Sequence, residues 1–181
     1  MPDQEPVTPT FIKKAVDNNN FWRRRIYTSF AKDRPLYSVI FDTDDENWLR
    51  IQQETTIMLG QRMRKDMSVI DVGCGYGAVY DCIQGLGYPV NYVGIDYSTD
   101  LIELANIRHP GAWFSVGDAR KIPYGDSSFD LVICRAMRDM VEKNLGYDYW
   151  ERIYKELVRV SRHKVLIFDY DSILSPTVLT K

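Results

Sequence analysis

An aspartate and three glycines at alternate positions form the pattern in this chain that most clearly indicates chemistry: Asp71, Gly73, Gly75 and Gly77. Glycine has no Cβ, so it permits backbone angles that other residues avoid and lets a ligand approach the main chain closely. Apolar residues at helical spacing follow Gly77, and the first N–H groups of such a helix have no partner within it. The sequence therefore predicts a turn whose backbone groups bind a ligand.

Two further acids follow the glycines, and the first lies at a distance that suits a nucleoside-containing ligand. Asp96 lies 19 residues after Gly77, where a carboxylate can accept hydrogen bonds from two adjacent ribose hydroxyls. Asp118 stands between Gly117 and Ala119, directly after another apolar segment. Both acids end segments that read as buried strands, so both are expected at the same edge of a sheet.

Alternating strands and helices must position these residues. Short apolar runs predict five strands, at residues 68–72, 90–95, 113–116, 129–134 and 164–168. Helical periodicity predicts helices at about residues 45–65, from residue 78, from about 98 to before Pro110, and at 147–160. This alternation predicts an α/β fold with a mostly parallel sheet and right-handed crossovers, which binds ligands at the carboxyl ends of its strands.

Composition narrows the class of protein. The chain has 181 residues, 45% of them hydrophobic and 27% charged, which suits one globular unit. We expect an N-terminal arm and covering helix over residues 1–44 and a single compact domain over 45–181.

A net charge of −2 offers no attraction to nucleic acid or anionic membranes. The three cysteines fall in predicted core segments, as is typical of reduced thiols in a cytoplasmic protein, and no metal site is expected.

Four motifs in order carry a resemblance to a known family: residues 71–77, 94–98, 117–119 and 122–132. Over about residues 45–171 the chain resembles the class I S-adenosylmethionine-dependent methyltransferases, especially the branch with small-molecule and quinone-biosynthesis enzymes. The resemblance implies a doubly wound, Rossmann-like fold with N-terminal helices and strand order 3-2-1-4-5. It also implies transfer of a methyl group from S-adenosyl-L-methionine to a small-molecule acceptor by in-line displacement.

The resemblance assigns the methionine end of the cofactor to the first and fourth strands. The segment Gly73-Cys74-Gly75-Tyr76-Gly77 would hold the methionine portion through its backbone groups. Asp71 would help to orient the ammonium group, and Arg135 would line this end through its carbonyl oxygen.

The adenosine end is assigned to the second and third strands. Asp96 would bind the ribose hydroxyls, and Tyr97 would pack on the adenine face. Asp118 would accept from the adenine amino group, and the Ala119 backbone N–H would meet the ring.

Simpler interpretations exist for several of these residues. Asp71 and Asp118 could cap turns, because aspartate commonly accepts from neighbouring backbone N–H groups. Gly73, Gly75 and Ala78 also fit the dinucleotide-binding fingerprint. Gly77 within the turn, together with Asp71 and Asp118, favours the methyltransferase interpretation.

Methyl transfer chiefly needs proximity and alignment, and a base is required only if the acceptor loses a proton. The polar residues expected near the site are Tyr27, Tyr37, Arg138, Asp139 and Asp169. The two histidines, His109 and His163, are expected at the opposite edge of the sheet.

The predicted sheet departs from the family because the sequence ends at Lys181, shortly after the fifth strand. This shortened end leaves two functional hypotheses, a truncated methyltransferase and a non-catalytic cofactor-binding module or subunit completed by a partner. The fifth strand would be an exposed edge. Residues 173–179 could cover it, or a second subunit could pair there, and we expect a homodimer.

Overall fold

The computed structural model describes residues 35, 37–38, 43–169, 172–173 and 175–180. Its helices are α1 (Asp45–Gly60), α2 (Ala78–Gln84), α3 (Thr99–Arg108), α4 (Arg138–Leu145) and α5 (Tyr147–Val160). Its strands are β1 (Ser68–Val72), β2 (Asn91–Asp96), β3 (Trp113–Val116), β4 (Phe129–Arg135), β5 (Ser161–Phe168) and β6 (Thr177–Thr180). The predicted N-terminal arm and covering helix lie outside the described residues.

These strands form one sheet in the order β3-β2-β1-β4-β5-β6. Neighbours from β3 to β5 run parallel, which confirms the predicted α/β class and the order 3-2-1-4-5. The central strand, β1, pairs with strands on both sides, and its Asp71 lies opposite Gly94 of β2 and Ile133 of β4. The glycine turn therefore emerges from the middle of the sheet.

Helices cover both faces of the sheet and give two apolar cores. On one face, α1, α2 and α3 bury residues such as Leu59, Val79 and Ile102 against the sheet. On the other face, α4 and α5 bury residues such as Val141 and Leu157. Because helices cover β1 on both faces, residues 69–72 are all buried, as in a central strand of a parallel sheet.

Helix α1 is shorter than predicted. It begins as expected, with Asp44 accepting from the Asn47 backbone N–H at 2.8 Å, but it ends at Gly60 rather than near residue 65. The chain turns there to bury Met63 and Met67 beneath the sheet. The basic residues after Gly60 therefore lie outside the last helical turn.

The prediction that β5 ends the sheet as an exposed edge is wrong. β6 pairs with it in antiparallel fashion, with Leu179 opposite Val165 and Thr177 opposite Ile167. The tail of the chain, one of the two covers considered, thus occupies the edge through which a homodimer was expected. β5 also begins earlier than predicted, at Ser161, because its first residue pairs with Phe129 across a register shift.

Helix α4 was not predicted, since its sequence has charged residues at its start and buries only Val141. It follows β4 directly and packs against α5. None of the helices within the described ranges has the length and apolar character needed to cross a membrane.

Candidate functional site

The turn between β1 and α2 has an unusual backbone. All three of its glycines have positive φ, 78° at Gly73, 56° at Gly75 and 88° at Gly77, which side chains rarely tolerate. The Gly73 and Cys74 N–H groups donate to the Ile95 carbonyl at 2.8 and 3.1 Å. The turn is therefore attached to the end of β2.

The surroundings of Gly75 and Gly77 differ sharply. A Cβ on Gly77 would lie 2.7 Å from the His109 imidazole and 3.1 Å from the Phe114 ring. A Cβ on Gly75 would have no heavy atom of the described residues within 4 Å, apart from its chain neighbours. Gly77 is thus required by internal packing, whereas at Gly75 no side chain among the described residues would keep a ligand from the main chain.

The carboxylate of Asp96 joins β2 to the glycine turn. One oxygen accepts from the Gly75 N–H at 3.0 Å, and the other accepts from the Ser98 N–H at 2.9 Å. Burial raises the pKa of Asp96 to about 6, and the backbone N–H groups of Ser98, Gly75 and Tyr97 oppose that rise. A carboxylate has about four acceptor sites, so Asp96 can accept further hydrogen bonds. Tyr97 follows it and is half-buried.

Asp71 lies beneath the turn rather than on its surface. It is fully buried, and its Oδ2 accepts from the Tyr92 hydroxyl at 3.0 Å. Its Oδ1 has no hydrogen-bond partner within the described part of the chain. Burial raises the pKa of Asp71 to about 7, although the Tyr92 hydrogen bond and the Arg135 charge favour the ionised form. A buried acceptor without a partner suits a nearby positive charge.

Arg135 ends β4 with a buried side chain, only 6% exposed. Its Nη1 donates to Gln52 Oε1 at 3.4 Å, and its guanidinium carbon lies 5.7 Å from the centre of the Trp48 ring. The prediction concerned the Arg135 carbonyl, but the structure also places the guanidinium between the sheet and α1. Sequence reasoning missed this, because the contact depends on the packing of α1.

Asp118 adopts the turn-capping role considered for it. Its Oδ1 accepts from the Arg120 backbone N–H at 2.8 Å, and its Oδ2 lies 2.6 Å from Arg120 Nη2. These hydrogen bonds lower the pKa of Asp118. The Arg120 guanidinium also lies 4.7 Å from the Tyr149 ring of α5. Ala119 is partly buried beside the core on that face.

The loop that carries Asp118 is fastened to α5 by contacts that sequence reasoning missed. Arg159 donates to the carbonyl oxygens of Ile122 and Tyr124 at 3.0 and 2.8 Å. Glu156 accepts from the Ile122 N–H at 2.8 Å and pairs with Arg159 at 2.6 Å. The spacing of Glu156 and Arg159 on one helical face was visible in the sequence, but their partner was not.

The five residues predicted as acid–base candidates lie in different parts of the chain. The Tyr37 hydroxyl donates to Asp45 at 2.7 Å, and the Tyr37 ring stacks on Trp48 at 5.1 Å, next to Arg135. Arg138 and Asp139 are exposed on α4 and form ion pairs along that helix, at 3.1 and 4.0 Å. Asp169 follows β5, and its backbone N–H donates to Ser172. Tyr27 lies outside the described residues.

The prediction for His109 is wrong. It packs directly behind Gly77, with its ring 5.1 Å from Tyr80 and 5.8 Å from Phe114. The end of α3 lies beside the first turn of α2, where Arg108 pairs with Asp81 at 3.0 Å. His109 Nε2 lies 3.4 Å from Asp81 without hydrogen-bond geometry. Burial lowers the pKa of His109, which favours the neutral ring, and the charge of Asp81 opposes that shift.

His163 lies at the opposite edge of the sheet, as predicted. It lies near the start of β5, with its Nε2 3.8 Å from Asp130 Oδ1. A shallow cavity of about 290 Å³ lies there, lined by Arg64, Lys65, Asp66, Met67, Asp130 and His163. This cavity is remote from the glycine turn and Asp96.

The chain is similar to known proteins. The family described as "Methyltransferase domain" matches residues 70–168. A phthiotriol/phenolphthiotriol dimycocerosates methyltransferase of Mycobacterium tuberculosis is 30% identical over 140 residues, covering 74% of this chain and 48% of the relative. A fatty-acid O-methyltransferase of Mycolicibacterium smegmatis is 28% identical over 135 residues, covering 74% and 47%. The chain thus spans about half the length of the curated relatives it matches.

A solved structure is also similar. A SAM-dependent methyltransferase from Methanosarcina mazei superimposes with a TM-score of 0.52 and 29% identity, covering 61% of this chain and 55% of that one. The domain match extends over more than half of the sequence and includes the glycine turn, Asp96, Asp118 and Arg135. The chain therefore belongs to the class I S-adenosylmethionine-dependent methyltransferase family.

Proposed function

We propose that this protein binds S-adenosyl-L-methionine and transfers its methyl group to a small-molecule acceptor. The observation that carries the proposal is the buried Asp96 carboxylate, which contacts the glycine turn at Gly75. There a bound nucleoside would find a carboxylate for its hydroxyls and open backbone beside it. The relatives named above are, by their names, methyltransferases of phthiotriol/phenolphthiotriol dimycocerosates and of fatty acids, which supports a small-molecule acceptor.

The chain's residues fit this cofactor at both ends. The backbone at Gly75 and the unpartnered Oδ1 of Asp71 suit the positively charged methionine portion. Asp96 would hold the ribose, and Tyr97 and Ala119 would border the adenine. Asp118 would receive the adenine amino group beside its existing contact with Arg120.

Bound S-adenosylmethionine supplies an electrophilic methyl group, so the protein's main task is to align the acceptor. Tyr37 stacks on Trp48 next to Arg135 and would therefore border the methionine end of the cofactor. If the acceptor must lose a proton, Tyr37 and Asp169 are the residues to substitute first. Arg138 and Asp139 pair with α4 side chains instead.

Two measurements test the proposal. Calorimetric titration with S-adenosylhomocysteine should show binding, and NAD under the same conditions should not bind. Incubation with methyl-labelled S-adenosylmethionine and a lipid and metabolite extract, followed by mass spectrometry, should give a labelled product that disappears in Asp96→Ala. Tight NAD binding without S-adenosylhomocysteine binding would overturn the proposal. Cofactor binding without any labelled product would favour the non-catalytic module or a subunit that needs a partner.

A further inference from the structure

We infer that Arg108 is a positioning residue for the glycine turn. It is the last residue of α3, outside the four motifs, and it holds the turn in the shape that a ligand requires. The inference rests on the proposed function and adds a residue that no motif of the sequence marks. Arg108 acts through the main chain of Tyr76 rather than by touching the ligand.

The turn needs such support because glycines flank Tyr76 on both sides. Gly75 and Gly77 have φ of 56° and 88°, and glycine reaches several other conformations at little cost in energy. β2 holds the first half of the turn, where the Gly75 N–H donates to Asp96 at 3.0 Å. The second half, from Tyr76 onward, is contacted by α3.

One face of α3 contacts Tyr76. This tyrosine is only 4% exposed and lies in a small apolar cluster with Leu101, against which Leu104 also packs. Arg108 Nη1 donates to the Tyr76 carbonyl at 3.1 Å, and its guanidinium carbon lies 4.8 Å from the centre of the Tyr76 ring. Leu101, Leu104 and Arg108 are spaced three and four residues apart, which places them on the same helical face. The helix therefore holds both the ring and the carbonyl of this residue.

Asp81 of α2 orients the Arg108 guanidinium. Its Oδ2 accepts from Arg108 Nη2 at 3.0 Å, so one guanidinium binds both the turn and α2. The two side chains are 34% and 30% exposed, and an ion pair so open to solvent stabilises a fold only slightly. The main effect of the pair is therefore to direct a charge-assisted hydrogen bond at the Tyr76 carbonyl.

The carbonyl contact fixes the peptide group that follows Tyr76. The N–H of the same group donates to the Cys74 carbonyl at 3.0 Å, so both of its polar ends are held. α3 also begins beside Asp96, because the Ser98 N–H at its start donates to that carboxylate at 2.9 Å. One helix thus joins Asp96 to the far side of the glycine turn. Without Arg108 the turn would populate other conformations, and affinity falls in proportion to the fraction that remains competent to bind.

Variants of Arg108 and Asp81 test the inference. Arg108→Met loses both hydrogen bonds and keeps an apolar side chain over the Tyr76 ring. Arg108→Lys keeps the charge without the planar set of donors. Asp81→Ala leaves the arginine in place but removes the acid that orients it. The matched control is Arg50→Met, whose arginine pairs with Glu54 at 2.9 Å on the surface of α1.

Three measurements apply to each variant. Calorimetry gives the affinity for S-adenosylhomocysteine, and urea unfolding gives the stability. ¹⁵N–¹H spectra report the Gly75 and Gly77 amides with and without this ligand. A merely structural role of Arg108 would lower the urea midpoint and leave both the affinity and these amide signals unchanged.

Arg108→Met should bind S-adenosylhomocysteine about 5- to 20-fold more weakly, as expected if the turn is competent for about a fifth to a twentieth of the time. Arg108→Lys should recover part of this loss, and Arg50→Met should bind normally. In free Arg108→Met the Gly75 and Gly77 signals should shift or broaden. Saturating ligand should return them to the positions seen in the ligand-bound wild type.

Two results would overturn the inference. One is wild-type affinity in folded Arg108→Met, and the other is weaker binding with unchanged Gly75 and Gly77 signals in the free protein. If Arg108→Met does not fold, Asp81→Ala is judged by the same two criteria, with a smaller loss of affinity expected. Absence of S-adenosylhomocysteine binding by the wild type refutes the proposed function, whereas equal binding by the wild type and Arg108→Met refutes this inference alone.

Discussion

The Asp96 carboxylate accepts a hydrogen bond from the Gly75 backbone N–H at 3.0 Å, which links the end of β2 to the glycine turn after β1. The same carboxylate caps the next turn through the Ser98 N–H at 2.9 Å. One buried side chain thus fixes the relative position of two loops. Removal of this side chain should affect ligand binding more than it affects the distant core.

We expect Asp96→Ala to weaken S-adenosylhomocysteine binding by about 1.5–3 kcal/mol, the range for hydrogen bonds to charged groups. Titration calorimetry measures the affinity, and circular dichroism checks the fold. Glu103→Ala, on the exposed side of α3, is the matched control and should bind normally. A folded Asp96→Ala protein with wild-type affinity would remove Asp96 from the ribose role.

Substitutions at Gly75 and Gly77 should separate binding from stability. Gly77→Ala places a Cβ against His109 and Phe114 at a positive φ, so it should cost about 2–4 kcal/mol of unfolding free energy from strain and overpacking together. At Gly75 an added Cβ would meet no atom of the described residues within 4 Å, so Gly75→Val should cost only about 1–2 kcal/mol of backbone strain.

Ligand binding should be affected in the opposite order, with the greater loss in Gly75→Val. In Gly75→Val the side chain occupies the space beside the main chain, so S-adenosylhomocysteine binding should be lost. Urea unfolding and calorimetry on both variants provide the comparison. If Gly75→Val binds as tightly as the wild type, the ligand does not approach the turn at this residue.

Arg159→Met should loosen the loop that carries Asp118 and Ala119. The variant keeps a long apolar stem but loses the donors to the Ile122 and Tyr124 carbonyls. We expect about 1–3 kcal/mol of destabilisation and faster hydrogen exchange across residues 118–127. Arg152→Met on the exposed face of the same helix should change neither. Unaltered exchange in Arg159→Met would show that the loop holds its shape without α5.

The stability of the protein should depend on pH through Asp71. Burial raises its pKa from 3.8 to about 7 in the folded state, so between these pH values the folded protein retains a proton that the unfolded chain releases. The contribution of this group is therefore complete below pH 4 and is lost as the pH rises through 7, by at most about 1.4 kcal/mol for each unit.

The matched comparison is Asp71→Asn, which does not titrate. The difference in unfolding free energy, wild type minus variant, should fall between pH 4.5 and 8, and the contribution of Asp96 should cancel. Urea unfolding at several pH values measures it. Parallel pH profiles for the two proteins would mean that Asp71 ionises in the folded state as it does in the unfolded chain.

A variant that ends at Ser175 should expose the edge of β5. Without β6 the backbone groups of residues 164–167 lose their partners, and an apolar edge of this kind pairs with other chains. Sedimentation at micromolar concentration should show greater association for the shortened variant than for the full chain. Equal sedimentation of the two would indicate that β5 needs no cover.

The sequence predicts the core of this fold well because local patterns and burial agree there. Ser68–Val72, Trp113–Val116 and Tyr147–Val160 have the predicted bounds, since each is an apolar or amphipathic segment between clear breaks. β6 escaped prediction because four largely exposed residues form a strand only by pairing with β5. Pairing partners of this kind are not encoded in local periodicity.

In the site, too, some residues are predictable from local sequence and others are not. The spacing of Asp71, Gly75 and Asp96 indicates a nucleoside site at the strand ends, and the structure brings Gly75 and Asp96 into contact. Two other contacts depend on how helices pack on the sheet. His109 lies behind Gly77, and Arg159 hydrogen-bonds to the loop that carries Asp118. Such contacts join residues far apart in sequence, so no local pattern reveals them.

The central position of β1 also bears on how the protein folds. Its two partners are β2, which follows soon after it, and β4, which begins much later at Phe129. Gly75 and Asp96 can therefore meet early, but Arg135 arrives beside the turn only when the long-range pairing with β4 forms, a slow step in parallel sheets. A ligand that contacts both Asp96 and Arg135 would bind only after that step. Such a ligand would slow unfolding and leave the rate of folding unchanged.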